Sequence, residues 1–287
     1  MLVENTNNIK QILSKIQNLP ALPAIADEAI RILNDKNSSK NDVVKIVSKE
    51  QSFISKILSI ANSPIYGLQR EVSTLSFAVF ILGLKEIKKV VFALAFVKSF
   101  KMVKDHNFDP KQFWLHSFVV GNLSRKIAMD LDINNSGEAF IAGFLHDFPV
   151  SILHKNFKNE FDEIIDLVET GTAFSVAEKE VLGVTHADIV KIILEKWNFP
   201  KILINTVANH HTPSLSEHDK TLASVVHLAD YITFKLRIAH CCWDGKFEFD
   251  NSIIETLNFA NEDSLGEFIE SYRSYISEQI NSIRNLV

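Results

Sequence analysis

The sequence predicts an all-α protein, on three observations. Apolar residues recur at intervals of three and four along most of the 287-residue chain, the period of a helix with one buried face. Only nine glycines and seven prolines occur, a glycine share of roughly 3% against a usual ~7%. No stretch alternates apolar and polar residues with the period of two that a half-buried strand requires.

The elements follow in order. Ile9, Ile12, Leu13 and Ile16 make a first apolar stripe. In Leu19-Pro20-Ala21-Leu22-Pro23 a proline stands near a helix start, where its missing N–H is not needed, and Ile25, Ala29, Ile30 and Leu33 carry the helix that follows. Ser39 to Asp42 reads as a capping box ahead of Val43, Val44 and Val47. Phe53, Ile54, Ile57, Leu58 and Ala61 make the next face, which stops before Ser63-Pro64 because the residue preceding proline is pushed out of helical geometry. Gly83 separates Thr74–Leu82 from a helix running to about Phe100. Lys85, Lys88 and Lys89 on that helix read as a solvated face. Asp105 to Pro110 reads as a linker. Beyond it Phe113, Val120, Leu123 and Ile127 form a stripe on which His116 lies. Thr185-His186-Ala187-Asp188 is a second capping box, with Ile189, Ile192 and Ile193 behind it. Pro200 opens a helix that ends at His210-His211, and Thr221 to Ile238 is a helix carrying Asp230. The tail has a cap at Ser264 and a stripe of Leu265, Phe268, Ile269, Tyr272 and Ile276.

Composition narrows the function. The chain is 46% hydrophobic and 23% charged, ordinary for a globular protein, and its length suggests two domains or one with appendages at about 150 residues each. A net charge of −5 argues against a general nucleic-acid binder, which needs a basic face. Met1-Leu2-Val3-Glu4-Asn5 opens no secretory signal. The most apolar stretch, Val90 to Val97, is far short of the ~20 residues that span a bilayer. Cys241 and Cys242 are adjacent and close no loop, so they read as free thiols and the protein as cytoplasmic.

The chemistry lies in a train of metal-type residues. His116 is followed by the dipeptide His146-Asp147 after 30 residues, by His186, by the pair His210-His211 and by Asp230. Each has a bland reading taken singly. His116 on an apolar face is most simply a hydrogen-bonded core histidine, His186 a first-turn residue beside its cap, and His210-His211 imidazolium at a helix C-terminus. Together they weaken those readings, because five imidazoles and two carboxylates suit a two-metal site, where one carboxylate bridges two cations that activate water and neutralise phosphate charge. Mn²⁺ or Fe suits such a nitrogen-rich set better than Mg²⁺. His106, His154, His218, His227 and His240 are assigned no function.

The order His116, His146-Asp147, Asp230 resembles the pattern that names the HD phosphohydrolase superfamily. With His186, His210 and His211 it is similar to the two-metal set of the HD-GYP branch, which hydrolyses cyclic dinucleotides. Leu19–Pro23, Ala61-Asn62-Ser63-Pro64-Ile65-Tyr66-Gly67, Ala78–Gly83, Phe113-Trp114-Leu115-His116-Ser117 and Trp197-Asn198-Phe199-Pro200 resemble the HDOD domain, a helical signalling module related to HD proteins. That resemblance implies an N-terminal helical bundle (1–104) packed on an HD-like helical half (105–240), with a C-terminal helical extension (241–287). It also implies a bacterial regulatory module acting on protein partners of a signalling pathway, with a nucleotide as a further ligand class. The departures argue against turnover: Val150 stands where an active HD-GYP protein has a phosphate-holding Lys, no Gly-Tyr-Pro loop follows His210-His211, and Gln112 replaces the Glu of a third-metal version. The alternatives are a metal-dependent phosphohydrolase or cyclic-dinucleotide phosphodiesterase, and a non-catalytic metal or nucleotide sensor.

Overall fold

The computed structural model describes residues 21–35, 37–62 and 71–283, and residue 14. Among them the regular elements are helices and none is a strand, as the sequence predicts. The stripe Ile9–Ile16, the pair Leu19-Pro20 and the stretch Ser63–Gly67 lie outside the described residues. Among the described residues no helix is long and apolar enough to cross a membrane. The described residues divide into two compact units, one within 21–101 together with 274–283, the other 102–273.

The first unit holds α1 (Ala24–Asn34), α2 (Lys40–Ser48), α3 (Gln51–Ala61), α4 (Leu75–Leu82) and α5 (Leu84–Ser99). Helix α5 is the hub, packing on each of the other four. The Asp42 carboxylate accepts the Ser39 N–H at 2.9 Å, closing the expected box at the start of α2. Gly83 joins α4 to α5 at φ +79°, a left-handed conformation that glycine adopts without the Cβ clash. The lysine face expected to be solvated is not: Lys85 is exposed, but Lys88 and Lys89 are buried. Lys88 Nζ donates to the Asp35 carbonyl at 3.0 Å and Lys89 pairs with Glu86 at 3.2 Å, so their stems pack while their heads find partners.

The second unit begins at α6 (Pro110–Asp130), started by Asp109, whose Oδ1 accepts the Lys111 N–H at 2.9 Å. It packs extensively against α7 (Ser136–Leu145) and on α13 (Lys220–Leu236). A Cβ added at Gly143 would lie 2.5 Å from Ser124 Oγ and 2.9 Å from the Val120 carbonyl, so glycine lets α7 approach α6 this closely. Helices α8 (Phe148–Asn156), α9 (Lys158–Glu169), α10 (Phe174–Val181), α11 (His186–Lys196) and α12 (Lys201–Ala208) follow. Phe108, Phe113, Trp114, Phe144, Phe148 and Phe161 fill the core between them.

A 3₁₀ turn (Pro213–Leu215) precedes α13, and α14 (Ser252–Thr256) and α15 (Glu262–Ile283) complete the chain. Helix α15 starts two residues before the cap expected at Ser264. Asn261 Oδ1 accepts the Ser264 N–H at 2.9 Å and Ser264 Oγ accepts the Asn261 N–H at 3.1 Å, so Asn261 caps and Ser264 reciprocates. The segment 237–251 is largely irregular and lies along the candidate site.

Candidate metal centre

Local structure sets each of the seven side chains. His146 and Asp147 occupy the break between α7 and α8, with Asp147 as the residue before α8 and Pro149 in its first turn. His116 faces them from the middle of α6. His186 is the first residue of α11, fixed there by a reciprocal box: Thr185 Oγ1 accepts the Asp188 N–H at 3.2 Å and Asp188 accepts the Thr185 N–H at 2.9 Å. Helix α12 ends at Ala208, short of the expected end at His210-His211, which follow its C-cap Asn209, and Asp230 projects from α13.

The structure brings all seven together. On one side His116 Nε2 and His146 Nε2 lie 3.3 Å apart, at 3.8 and 3.5 Å from Asp147 Oδ2 and 3.4 and 3.7 Å from Asp230 Oδ1. On the other His186 Nε2 and His210 Nε2 lie 3.3 Å apart, at 3.4 and 3.8 Å from Asp147 Oδ1. His211 Nε2 stands 2.9 Å from His186 Nε2. Asp147 therefore turns one oxygen to each group, the placement of a bridging carboxylate.

The outer contacts explain why four Nε2 atoms converge. The Nδ1–H groups of His116, His146 and His210 donate to the carbonyls of Ala239, Gly143 and Val207 at 3.2, 2.8 and 2.7 Å. The Nδ1–H of His186 donates to Glu178 Oε2 at 2.7 Å, and the same oxygen accepts the His186 backbone N–H at 3.0 Å. An imidazole whose Nδ1 carries the proton presents a bare lone pair at Nε2. Two such lone pairs at 3.3 Å repel unless something positive lies between them. This is the arrangement in which outer partners fix the tautomer of metal-binding histidines.

Protonation shows the same demand for positive charge. Burial pushes His116 down, but the hydrogen bond to Asp230 and the charges of Asp244, Asp230 and Asp147 outweigh it and raise its pKa to about 9. Burial likewise opposes His186, where Glu178 and then Asp147 prevail and raise it to about 9. His210 goes the other way, lowered to about 3 by burial and by the neighbouring charges of His146 and His186. Asp230 is held well below the usual carboxylate range, its burial overcome by His116 and His146. His146, like its partner His116, is raised, by Asp147 and Asp230 against its burial, so one pair draws positive charge on both imidazoles and the other on His186 alone.

Beside this floor opens a cleft of about 830 Å³, reached by Asp147, His186, His211 and Asp230 and walled by Phe174, Trp243 and Phe247. The sequence reading missed four residues here. Trp243 Nε1–H donates to Asp147 Oδ2 at 2.8 Å. Glu178 anchors His186. Lys179 and Lys246 line the cleft and supply positive charge that does not come from position 150, where Val150 is fully buried in α8. Trp243 lies 96 residues from Asp147, so no spacing signals it; Glu178 carries a weak signal as an acid on an otherwise buried helix face. His227, assigned nothing, is a clip: its Nδ1–H donates to the His210 carbonyl at 2.8 Å and its Nε2 accepts the Asp250 N–H at 3.0 Å.

The model of the HDOD domain family matches residues 19–213. The structure is similar to that of an HDOD domain protein with unknown function from Geobacter sulfurreducens, with a TM-score of 0.81 at 21% identity, covering 100% of this chain and 99% of that one. It is also similar to a candidate phosphohydrolase from Shewanella amazonensis SB2B, with a TM-score of 0.74 at 24% identity over 94% of this chain and 97% of that one. A candidate signal transduction protein from Marinobacter aquaeolei VT8 gives a TM-score of 0.79 at 19% identity over 98% and 66%. An uncharacterized protein of Treponema pallidum (strain Nichols) is 23% identical over 230 residues, which are 79% of this chain and 44% of that protein. The chain thus spans less than half the length of that relative. Identities this low speak to the fold.

Proposed function

This chain belongs to the HDOD domain family, and from that premise we propose that it is a signal-transduction module built around a two-cation centre. One observation carries the reading: Asp147 divides its two oxygens between facing histidine pairs whose Nδ1 protons are all committed elsewhere. His116, His146, Asp147 and Asp230 would hold one cation, and Asp147, His186, His210 and His211 the other. The nitrogen-rich set favours Mn²⁺ or Fe. Bound there, the cations would supply positive charge to an anionic group, a phosphoester or a nucleotide among them, entering the cleft. Output through protein contacts is supported by α4, where Phe77 and Phe80 stack at 6.2 Å while 38% and 79% exposed; exposed apolar pairs of this kind are a feature of interaction surfaces.

A second reading, a metal-dependent phosphohydrolase, is favoured by Lys179 and Lys246 in the cleft. Preorganised positive groups at developing phosphoryl charge are worth roughly 10²-fold or more in rate, but both lysines are exposed and Lys179 is already paired with Asp188 at 3.7 Å. Incubation with bis(p-nitrophenyl) phosphate and Mn²⁺ separates the two. The signalling reading expects no release of p-nitrophenol above a metal-only control. Turnover abolished by Asp147→Ala would establish the second.

A further inference from the structure

The segment after α13 brings a second set of donors against His116. Arg237 and Ala239 both take left-handed backbone, at φ 54° and 51°, and turn the chain sharply at the end of the helix. The Ala239 carbonyl then lies 3.2 Å from His116 Nδ1 and 3.9 Å from Cys241 Sγ. Asp244 Oδ2 accepts the Cys241 N–H at 2.7 Å and stands 3.2 Å from His240 Nδ1, which fixes the loop with the thiol turned inward. As a result an imidazole nitrogen of His116, the thiol of Cys241 and a carboxylate oxygen of Asp244 all fall within 4.8 Å of one another. Cys241 is buried and unbridged, and Asp244 lines the cleft. Its neighbour Cys242 is turned away, donating to the Asn107 carbonyl at 2.7 Å.

We propose that His116, Cys241 and Asp244 form a third cation position, adjoining the two-cation centre and selective for a thiophilic divalent cation of the zinc type. The selectivity follows from the donors. The two-cation centre offers only nitrogen and oxygen and takes a hard or borderline ion; a thiolate beside imidazole and carboxylate favours zinc-like ions over Mn²⁺. Binding forms a sulfur–metal bond and sends the thiol proton to solvent. The Ala239 carbonyl is taken by the His116 Nδ1–H, so these three donors would leave the fourth position of the four-coordinate geometry such ions prefer to solvent. His116 is common to both sets and, with Nδ1–H given to Ala239, has one lone pair to offer, so loading of the third position and of the His116 side of the two-cation centre compete. Cys241 and Asp244 lie beyond residue 213, where the family match ends, while His116 lies within it.

Co²⁺ serves as the spectroscopic stand-in for zinc. Titrated into the full chain, it should produce a near-ultraviolet thiolate-to-cobalt charge-transfer band that is kept in Cys242→Ser and lost in Cys241→Ser, with circular dichroism verifying that each variant keeps its helix content. Added Zn²⁺ should bleach the band, and equimolar Mn²⁺ should not. The absence of a band in the folded wild type, or its persistence in Cys241→Ser, would overturn the proposal. The two-cation reading fails separately, on the absence of Mn²⁺ binding, which requires no thiolate and produces no such band.

Discussion

Asp147 has a double role at the scale of single residues, because one carboxylate cannot be removed without exposing both histidine pairs to each other. Asp147→Ala is expected to abolish binding of both Mn²⁺ ions, whereas His186→Ala should remove one and leave the His116 side occupied; metal content by mass spectrometry of the dialysed protein reads both. Of the seven candidate ligands Glu178 hydrogen-bonds His186, so Glu178→Gln should weaken Mn²⁺ binding without eliminating it, by the roughly 10- to 100-fold that loss of an outer partner causes, as measured by calorimetry. Away from the centre, Asp105 accepts from His154 Nε2–H and from Lys158 Nζ, each at 2.8 Å. Burial would raise its pKa, but Lys158 and His154 hold it well below the usual carboxylate range. A depressed pKa stabilises the fold above the unfolded value of roughly 4 and loses that contribution as pH falls toward the folded value. The stability advantage of wild type over Asp105→Asn, read from urea midpoints, should therefore shrink as pH drops below about 4. The seven candidate ligands were legible in the sequence because they are His and Asp in a recognisable order. Trp243, Glu178 and Asp244 were not, since nothing local ties a tryptophan to a carboxylate 96 residues away.

Among the elements, those with explicit start signals were read well. The Thr185–Asp188 box and Gly83 are local chemistry, and each appears where the residues place it. Boundaries slipped where two capping residues competed, as at Asn261 and Ser264. Lys88 and Lys89 were misread because helical periodicity assigns a face but says nothing of whether a buried carbonyl or Glu86 waits for the ammonium. The close approach of α6 and α7 was likewise invisible, yet it positions His116 against His146. Gly143→Ala would drive a methyl group into Ser124 Oγ and the Val120 carbonyl. It is expected to cost about 1–3 kcal/mol of stability, as overpacking commonly does. Mn²⁺ affinity should fall in the same variant. A denaturation midpoint unchanged from wild type would show that the two helices separate without cost.

For the whole molecule, fold class came from periodicity and scarce glycine, and family from motifs spread over residues 19–213. What the sequence could not supply was the cleft: its walls come from α10, α11, α13 and the irregular segment 237–251, and only folding brings them together. The irregular segment carries no helical signal, yet it delivers Trp243 to Asp147 and the Ala239 carbonyl to His116. If output runs through protein contacts, Phe80→Asp should abolish partner binding in a pull-down from the native host while leaving Mn²⁺ content unchanged.

The two-cation centre is tested most directly by anomalous scattering from crystals grown with Mn²⁺, comparing wild type with Asp147→Ala. Two anomalous peaks flanking Asp147, one among His116, His146 and Asp230 and one among His186, His210 and His211, with neither present in Asp147→Ala, is the result expected. No peak at Asp147 in the wild type, or peaks that survive in Asp147→Ala, would contradict it.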